Sequence, residues 1–258
     1  VRSIIFIEDT PRYYSSILPV LYKEIIYHTK QLMDKSLNNS QKLLHMRARP
    51  KIILLKKYEE AKKNIKKYKN NILGIVSDLR FPNRQKNNQL SGILLLEYVR
   101  KMDLSIPFIL QTTEKNYRKI ALENSINILN KNSPVLFKEL RRFMIDNFGF
   151  GDFKFKMSSG KIIEKASTLK EFYKCIKTIP GESLEFHSSK NHLSNWLASR
   201  GEFNLAGEFR QIKKNDFRNI EKRRKHHIKL IDTFTKKNSK SKIVEFSNTV
   251  SDFSHDFI

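Results

Sequence analysis

The sequence predicts an α/β protein built on a doubly wound parallel sheet of five strands in the order 2-1-3-4-5. Five short apolar runs alternate with segments of helical periodicity, and parallel strands need crossovers of this kind. The central run has no alternation of apolar and polar residues, which is typical of a strand covered on both faces. A polar or charged residue directly follows each of the five runs, which are 4–7, 51–55, 72–77, 106–111 and 126–129.

The segments between these strands predict the crossover helices in order. Each carries apolar residues at helical spacing, and the second has lysines on its opposite face. Segment 37–49 is less clear and reads as a loop followed by a helical turn, whereas 83–90 reads as a polar loop. The five predicted helices are 15–35, 58–68, 93–102, 114–124 and 133–147.

The residues at the strand ends suggest a site. Glu8 and Asp9 follow the first strand and Asp78 ends the central one, whereas Thr112 and Lys131 follow the fourth and fifth. The carboxyl ends of parallel strands meet at one edge of the sheet, where ligands bind at the switch point. Three carboxylates placed together favour a hard cation such as Mg²⁺. Two simpler interpretations remain: Asp78 caps the following turn, and Lys131 is a surface lysine.

Residues 3 to about 148 resemble the receiver domain of bacterial two-component response regulators, by these five positions in order. The resemblance implies that Asp78 accepts a phosphoryl group from a histidine kinase or a phosphotransfer protein. It implies that Asp9, Asp78 and the backbone carbonyl of Arg80 bind Mg²⁺ directly and that Glu8 binds it through water. Thr112 would follow the phosphoryl group, and Lys131 would pair with it.

Three features depart from the receiver pattern. The proline that usually follows the lysine is displaced to Pro134, and the position three before the lysine, which is often aromatic, is Ile128. The loop from Asp78 to Gly92 is longer than usual and carries Arg80, from where a side chain can influence hydrolysis of the phosphoryl group. We therefore expect an intact phosphorylation site with an atypical output.

The rest of the chain predicts a small α+β module at 150–217 and a basic helix with a terminal segment at 218–258, after a receiver at 1–149. A hairpin near 153–163, a helix capped by Thr168 and a helix at 192–199 make up the module. The blocks at 183–187 and 191–202 resemble the amino-terminal part of proteins with a domain of the phosphoenolpyruvate synthase or pyruvate phosphate dikinase type. That resemblance implies a catalytic domain after residue 258, regulated in cis.

The amino-acid composition limits the classes of function that the protein could have. The 258 residues carry a formal net charge of +24 and one cysteine, Cys175, which excludes an internal disulfide. There is no run of about eighteen apolar residues and no signal peptide, so we expect a cytoplasmic protein without membrane contact. The charge fits nucleic-acid binding, with its densest cluster at 213–242, and fits equally a coding bias towards lysine and asparagine.

Three functions follow from these features. The first is a phosphoacceptor switch that regulates a phosphoenolpyruvate synthase-like domain. The second is a response regulator whose basic carboxyl-terminal region binds nucleic acid without sequence specificity. The third is a receiver-like domain that uses its crevice only for protein contacts, which the complete set of five residues disfavours.

Overall fold

A computed structural model of the chain gives the structure of residues 2–36, 38–84, 90–102, 106–124 and 126–252, without the side chains of 40, 214 and 238–252. The chain forms two compact units: Val1–Gly151 with Lys190–Glu202, and Asp152–Ser189 with Phe203–Ile258. The boundaries predicted at 149 and 217 stay a prediction, since a compact unit need not fold alone. Most of the predicted loop 83–90, and the end of segment 218–258, lie outside the described residues.

The first unit contains a five-stranded sheet in the order β2-β1-β3-β4-β5, in which every neighbouring pair is parallel. This confirms the predicted fold class and strand order, which is the flavodoxin-like order. β1 and β3 are completely buried. The strands are β1 Ser3–Ile7, β2 Lys51–Leu55, β3 Ile72–Asp78, β4 Phe108–Thr112 and β5 Ile128–Asn130.

In the described part of the chain, six helices lie between and after these strands. α1 and α6 pack on one face of the sheet, against Phe6 and Val76, whereas α3, α4 and α5 pack on the other, against Ile5 and Ile75. Two apolar layers thus enclose the sheet. The helices are α1 Pro11–Asp34, α2 Asn39–Ala48, α3 Tyr58–Tyr68, α4 Ser91–Lys101, α5 Tyr117–Glu123 and α6 Leu136–Asn147.

The start of α4 lies directly against the end of β3. Gly92 donates its N–H to the carbonyl of Leu79 at 3.0 Å, and the Ser91 hydroxyl donates to the carbonyl of Phe81 at 2.8 Å. A Cβ at Gly92 would lie 2.5 Å from the carbonyl oxygen of Asp78. Glycine is therefore required here for α4 to approach the strand end this closely.

After α6 the chain enters the second unit with β6 Phe153–Lys156, β7 Ile162–Ala166, α7 Leu169–Thr178 and α8 Gly181–Ser189. It returns to the first unit with α9 His192–Ser199, and then to the second with α10 Phe203–Gln211 and α11 Ile220–Asp252.

In the second unit, β6 and β7 form the predicted antiparallel hairpin, and the Thr168 hydroxyl caps α7 by accepting the N–H of Glu171 at 3.2 Å. Phe153, Phe155 and Phe172 form an aromatic cluster between the hairpin and α7. The unit is therefore a small α+β fold, as predicted. Among the described residues, no helix is both long and apolar enough to cross a membrane.

Segment 190–202 is held inside the first unit by polar contacts. The Arg200 guanidinium donates to the carbonyl of Gly149 at 3.2 Å and lies over the Trp196 ring at 3.6 Å from its centroid. Gly149 has a φ of +74°, and a Cβ there would lie 2.6 Å from the Cα of Trp196. The end of α6 and the segment that carries α9 therefore belong to one packed structure.

Candidate functional site

The predicted residues lie at the carboxyl edge of the sheet because each follows a strand of known register. β1 and β3 align Ile7 with Ser77, so Glu8 lies beside Asp78. β3 and β4 align Asp78 with Gln111, which precedes Thr112. The N–H of Lys131 donates to the carbonyl of Thr112 at 2.8 Å, which continues the pairing of β4 and β5.

Lys131 connects two of the carboxylates. Its Nζ lies 2.7 Å from Oε2 of Glu8 and 2.9 Å from Oδ1 of Asp78, and its side chain is only 3% exposed. Burial strengthens such pairs because little water screens them, although it also removes hydration from each charge. Lys131 is therefore not a surface lysine; its charge is directed at Asp78.

Asp78 has one engaged and one available oxygen. Oδ1 accepts from Lys131 and from the N–H of Leu79 at 2.7 Å. Within the described residues no hydrogen bond is made by Oδ2. The carboxylate is thus oriented by its own turn, and one oxygen remains to act as a ligand or a nucleophile.

Burial changes the proton affinity of both carboxylates. It raises the pKa of Asp78, and the Asp9 charge adds to this, whereas Lys131 and the Leu79 N–H oppose it. Burial likewise raises the pKa of Glu8, with the Asp78 charge as the next cause and Lys131 opposing. One ammonium does not compensate three carboxylates, so the cluster favours a further cation.

The three carboxylates fit a divalent cation. One oxygen each from Glu8, Asp9 and Asp78 lies within 4.8 Å of the others. Hard oxygen donors of this kind suit Mg²⁺, which retains several waters and binds through one or two carboxylates. Asp9 is half-buried and therefore accessible, whereas Glu8 is fully buried and already accepts from Lys131 and Gln111.

Thr112 ends β4, and Arg80 follows the end of the neighbouring strand β3. Thr112 is buried, and its hydroxyl accepts the N–H of Glu114 at 3.2 Å. The Arg80 side chain, about half exposed, makes an ion pair with Glu114. This ion pair links the loop after β3, which carries Arg80, to the loop after β4, which carries Glu114. The role of the Arg80 carbonyl as a metal ligand stays a prediction.

Two residues of the site were not predicted from the sequence. Gln111 Nε2 donates to Oε2 of Glu8 at 3.1 Å, and the Tyr13 ring centroid lies 4.3 Å from Nζ of Lys131. Gln111 gave a signal, because it is a polar residue at the end of the otherwise apolar run 106–111 and, if buried there, needs a hydrogen-bond partner. Tyr13 gave none, because it precedes the predicted helix 15–35, which in the structure begins at Pro11, and no local pattern relates it to Lys131.

The basic cluster at 223–227 is largely internal to the second unit. Arg223 pairs with Glu185 at 2.7 Å, and Arg224 pairs with Glu221 and donates to the carbonyl of Ile179. His227 is buried as well. These side chains stabilise α11 against its neighbours and are not available to a phosphate backbone.

Comparison with protein-family models gives no match, and comparison with curated protein sequences gives none either. Solved structures of response regulators are similar to this chain at low identity. A LuxR-family DNA-binding response regulator from Staphylococcus aureus is 19% identical, covering 56% of this chain and 97% of its own, with a TM-score of 0.38.

A receiver domain protein from Clostridium thermocellum is 15% identical over 57% of this chain and 94% of its own, with a TM-score of 0.38. RcsB from Salmonella enterica serovar Typhimurium, solved on the rprA promoter with BeF3⁻, is 12% identical over 82% and 100%, with a TM-score of 0.38. Identities and scores this low leave the function to be argued from the site itself.

Proposed function

We propose that the first unit is a phosphoacceptor switch in which Asp78 receives a phosphoryl group in the presence of Mg²⁺. The contact that carries this proposal is Lys131 Nζ bridging Glu8 and Asp78 at 2.7 and 2.9 Å. A structural ion pair needs one carboxylate; this ammonium faces two, beside a third, at the edge of the sheet where ligands bind.

The reaction joins an Asp78 oxygen to the phosphorus of phosphohistidine or a small acyl phosphate. The P–N or P–O bond to the donor breaks, and its electron pair leaves with the imidazole or the carboxylate. A bound Mg²⁺ would neutralise charge on the transferring group. Lys131 supplies a second positive charge, the Leu79 N–H orients the carboxylate, and Thr112, at the end of the neighbouring strand β4, carries a hydroxyl for the phosphoryl group.

The first test is covalent labelling. The full chain, incubated with MgCl₂ and acetyl phosphate, should gain the mass of one phosphoryl group, because a buried, oriented carboxylate beside an ammonium is an activated acceptor. Asp78→Asn should gain none. Asp146→Asn, which changes a partly exposed aspartate of α6 that pairs with Arg142, is the matched control and should label like the wild type. Equal labelling of all three would contradict the assignment.

Metal binding has a readout that does not depend on phosphorylation. Ligand binding to the folded state raises the melting temperature. MgCl₂ should therefore raise the Tm of the wild type, and Asp9→Asn, which removes the accessible carboxylate, should reduce that increase. An unchanged response in Asp9→Asn would exclude Asp9 as a ligand.

We also propose, from the sequence resemblance alone, that the switch regulates a phosphoenolpyruvate synthase-like domain encoded after residue 258, with a histidine kinase or a phosphotransfer protein as donor. Determining the coding sequence downstream tests this. If such a domain follows, rates of phosphoenolpyruvate formation by wild type and Asp78→Asn, each with and without phosphodonor, should differ. Equal rates would mean that the receiver does not control the enzyme.

A further inference from the structure

The ammonium of Lys131 has a third partner besides its two carboxylates. The centroid of the Tyr13 ring lies 4.3 Å from Nζ, within the range of a cation–π contact. An ammonium has three donors, and the two carboxylates occupy only two directions. The ring covers a further side of a group that is almost fully buried.

The first turn of α1 fixes this ring. α1 begins at Pro11, which favours the first helical position, and the N–H of Tyr13 donates to the carbonyl of Thr10 at 3.1 Å. Thr10 in turn donates its N–H to Oε1 of Glu8 at 3.3 Å. The backbone of Thr10 thus connects Tyr13 to the Glu8 carboxylate through two hydrogen bonds, which keeps Tyr13 beside the crevice.

An uncharged partner has a particular use here. The cluster already holds three carboxylates, and a fourth would add to their mutual repulsion. An aromatic face attracts the ammonium through its quadrupole without a net charge. Displacement of the ammonium away from the ring would weaken this contact, so the ring adds to the interactions that hold Nζ in place.

We propose that Tyr13 is a positioning residue for phosphoryl transfer, holding the Lys131 ammonium against Asp78; this inference rests on the proposed phosphorylation of Asp78. Tyr13 acts through Lys131 and does not itself touch the phosphoryl group. Its ring matters and its hydroxyl does not.

The neighbouring residue supplies a matched control. Tyr14 is also half-buried on α1 and also lies over a lysine, with Lys56 Nζ 4.8 Å from its ring centroid. Lys56 makes no ion pair with the three carboxylates in the described part of the chain. Tyr13→Leu and Tyr14→Leu therefore remove equal, half-buried rings from adjacent positions of α1, and of the two only Tyr13 contacts Lys131 in the described part of the chain.

The experiment measures initial labelling rates of the full chain with MgCl₂ over a range of acetyl phosphate concentrations. Tyr13→Leu should lower the rate at saturating donor roughly 2- to 30-fold, the range of cation–π contacts from exposed to desolvated sites. Tyr13→Phe should restore it, and Tyr14→Leu should stay within twofold of wild type. Equal rates in Tyr13→Leu and Tyr14→Leu would overturn the inference.

A double-mutant cycle separates positioning from general support of the fold. If Tyr13 acts through Lys131, Tyr13→Leu should cost nothing further in a Lys131→Ala background. An undiminished loss there would assign Tyr13 a merely structural role. Far-UV circular dichroism checks folding, and Tyr13→Met replaces Tyr13→Leu if that variant is unfolded.

The two proposals fail differently. A wild type that takes no label overturns phosphorylation at Asp78 and this inference with it. A labelled wild type with an unaffected Tyr13→Leu overturns the inference alone.

Discussion

The side chain of His28 is held in its neutral form by burial and by hydrogen bonds at both ring nitrogens. Its Nδ1 accepts the N–H of Gly151 at 3.4 Å, and its Nε2 faces the carbonyl of Ser199 at 3.1 Å. The ring stacks on Phe150 with centroids 4.4 Å apart. A neutral imidazole protonated on Nε2 satisfies both hydrogen bonds, and burial, aided by the Arg200 charge, lowers its pKa to about 3.

This predicts an acid-sensitive contribution to stability. The unfolded histidine binds a proton near pH 6.5. Between about pH 6.5 and about 3 the unfolded state therefore carries the extra proton, and stability falls as the pH decreases, by about 1.4 kcal/mol per pH unit from this group. Above pH 6.5 both states are neutral and the contribution is complete.

Urea denaturation at pH 7.0 and pH 5.0 measures this slope. His28→Gln keeps a donor and an acceptor but has no titrating group, so it should lose less stability between the two pH values than wild type. The comparison uses the difference in slope, since loss of the stacked ring lowers the stability of the variant at both. Identical slopes would contradict the account of His28.

At the residue scale, the sequence predicted five site residues that the structure brings to one edge: Glu8, Asp9, Asp78, Thr112 and Lys131. They could be predicted because strand ends are readable from apolar runs and parallel strands end together. Tyr13 could not, because its position depends on where α1 begins and how its ring turns.

At the element scale, the start of α4 determines the shape of the crevice. Gly92→Ala would place a Cβ 2.5 Å from the Asp78 carbonyl oxygen and 2.6 Å from Cδ2 of Leu110. Backbone must move to relieve this, so we expect a loss of about 1–3 kcal/mol in the free energy of unfolding and slower labelling of Asp78.

Gly207→Ala is the control for Gly92→Ala. Gly207 lies within α10, and a Cβ there would meet nothing within 4 Å. Alanine should therefore stabilise this helix by up to about 1 kcal/mol. Denaturation of both variants measures the contrast, and a Gly92→Ala protein as stable as wild type would refute the close approach.

Two helices show what the sequence did not specify. Segment 37–49 was unclear, yet α2 forms, because Asn38 caps it by accepting the N–H of Gln41 at 2.9 Å. α8 was not predicted: it begins at Gly181, directly after Pro180. There Gly181 lies against Ile220, and a Cβ would be 3.0 Å from its Cγ2. Local sequence patterns do not predict tertiary contacts of this kind.

At the scale of the whole molecule, net charge is the dominant property. With a formal charge of +24, binding to DNA should occur at low salt through phosphate contacts alone. The arginines at 223 and 224 are engaged within the second unit, which removes them as readers of bases.

We expect two unrelated duplexes of equal length to bind with similar affinity. Affinity should fall on the order of a thousandfold between 50 and 200 mM salt if about six phosphates are contacted. Fluorescence anisotropy across this range measures both quantities. A defined footprint on one sequence at physiological salt would contradict the expectation and favour a transcription factor.

The sequence did not predict that the chain passes from the first unit to the second, back to the first and again to the second. Segment 190–202 belongs to the first unit, between two stretches of the second. The bounds of its helix α9 were predicted correctly. The residues that α9 packs against were not predicted, because nothing in the sequence around Trp196 and Arg200 indicates which part of the chain they contact. Contacts such as that of Arg200 with the Gly149 carbonyl require knowledge of the fold.

The central claim is that the phosphoryl group is carried by Asp78, and chemical trapping tests it most directly. The full chain is labelled with acetyl phosphate and MgCl₂, and borohydride then reduces the acyl phosphate to an alcohol. Peptide mass spectrometry should find homoserine at position 78 in wild type and at no position in Asp78→Asn. Homoserine at another aspartate, or its absence from a wild type that has gained a phosphoryl group, would contradict the account.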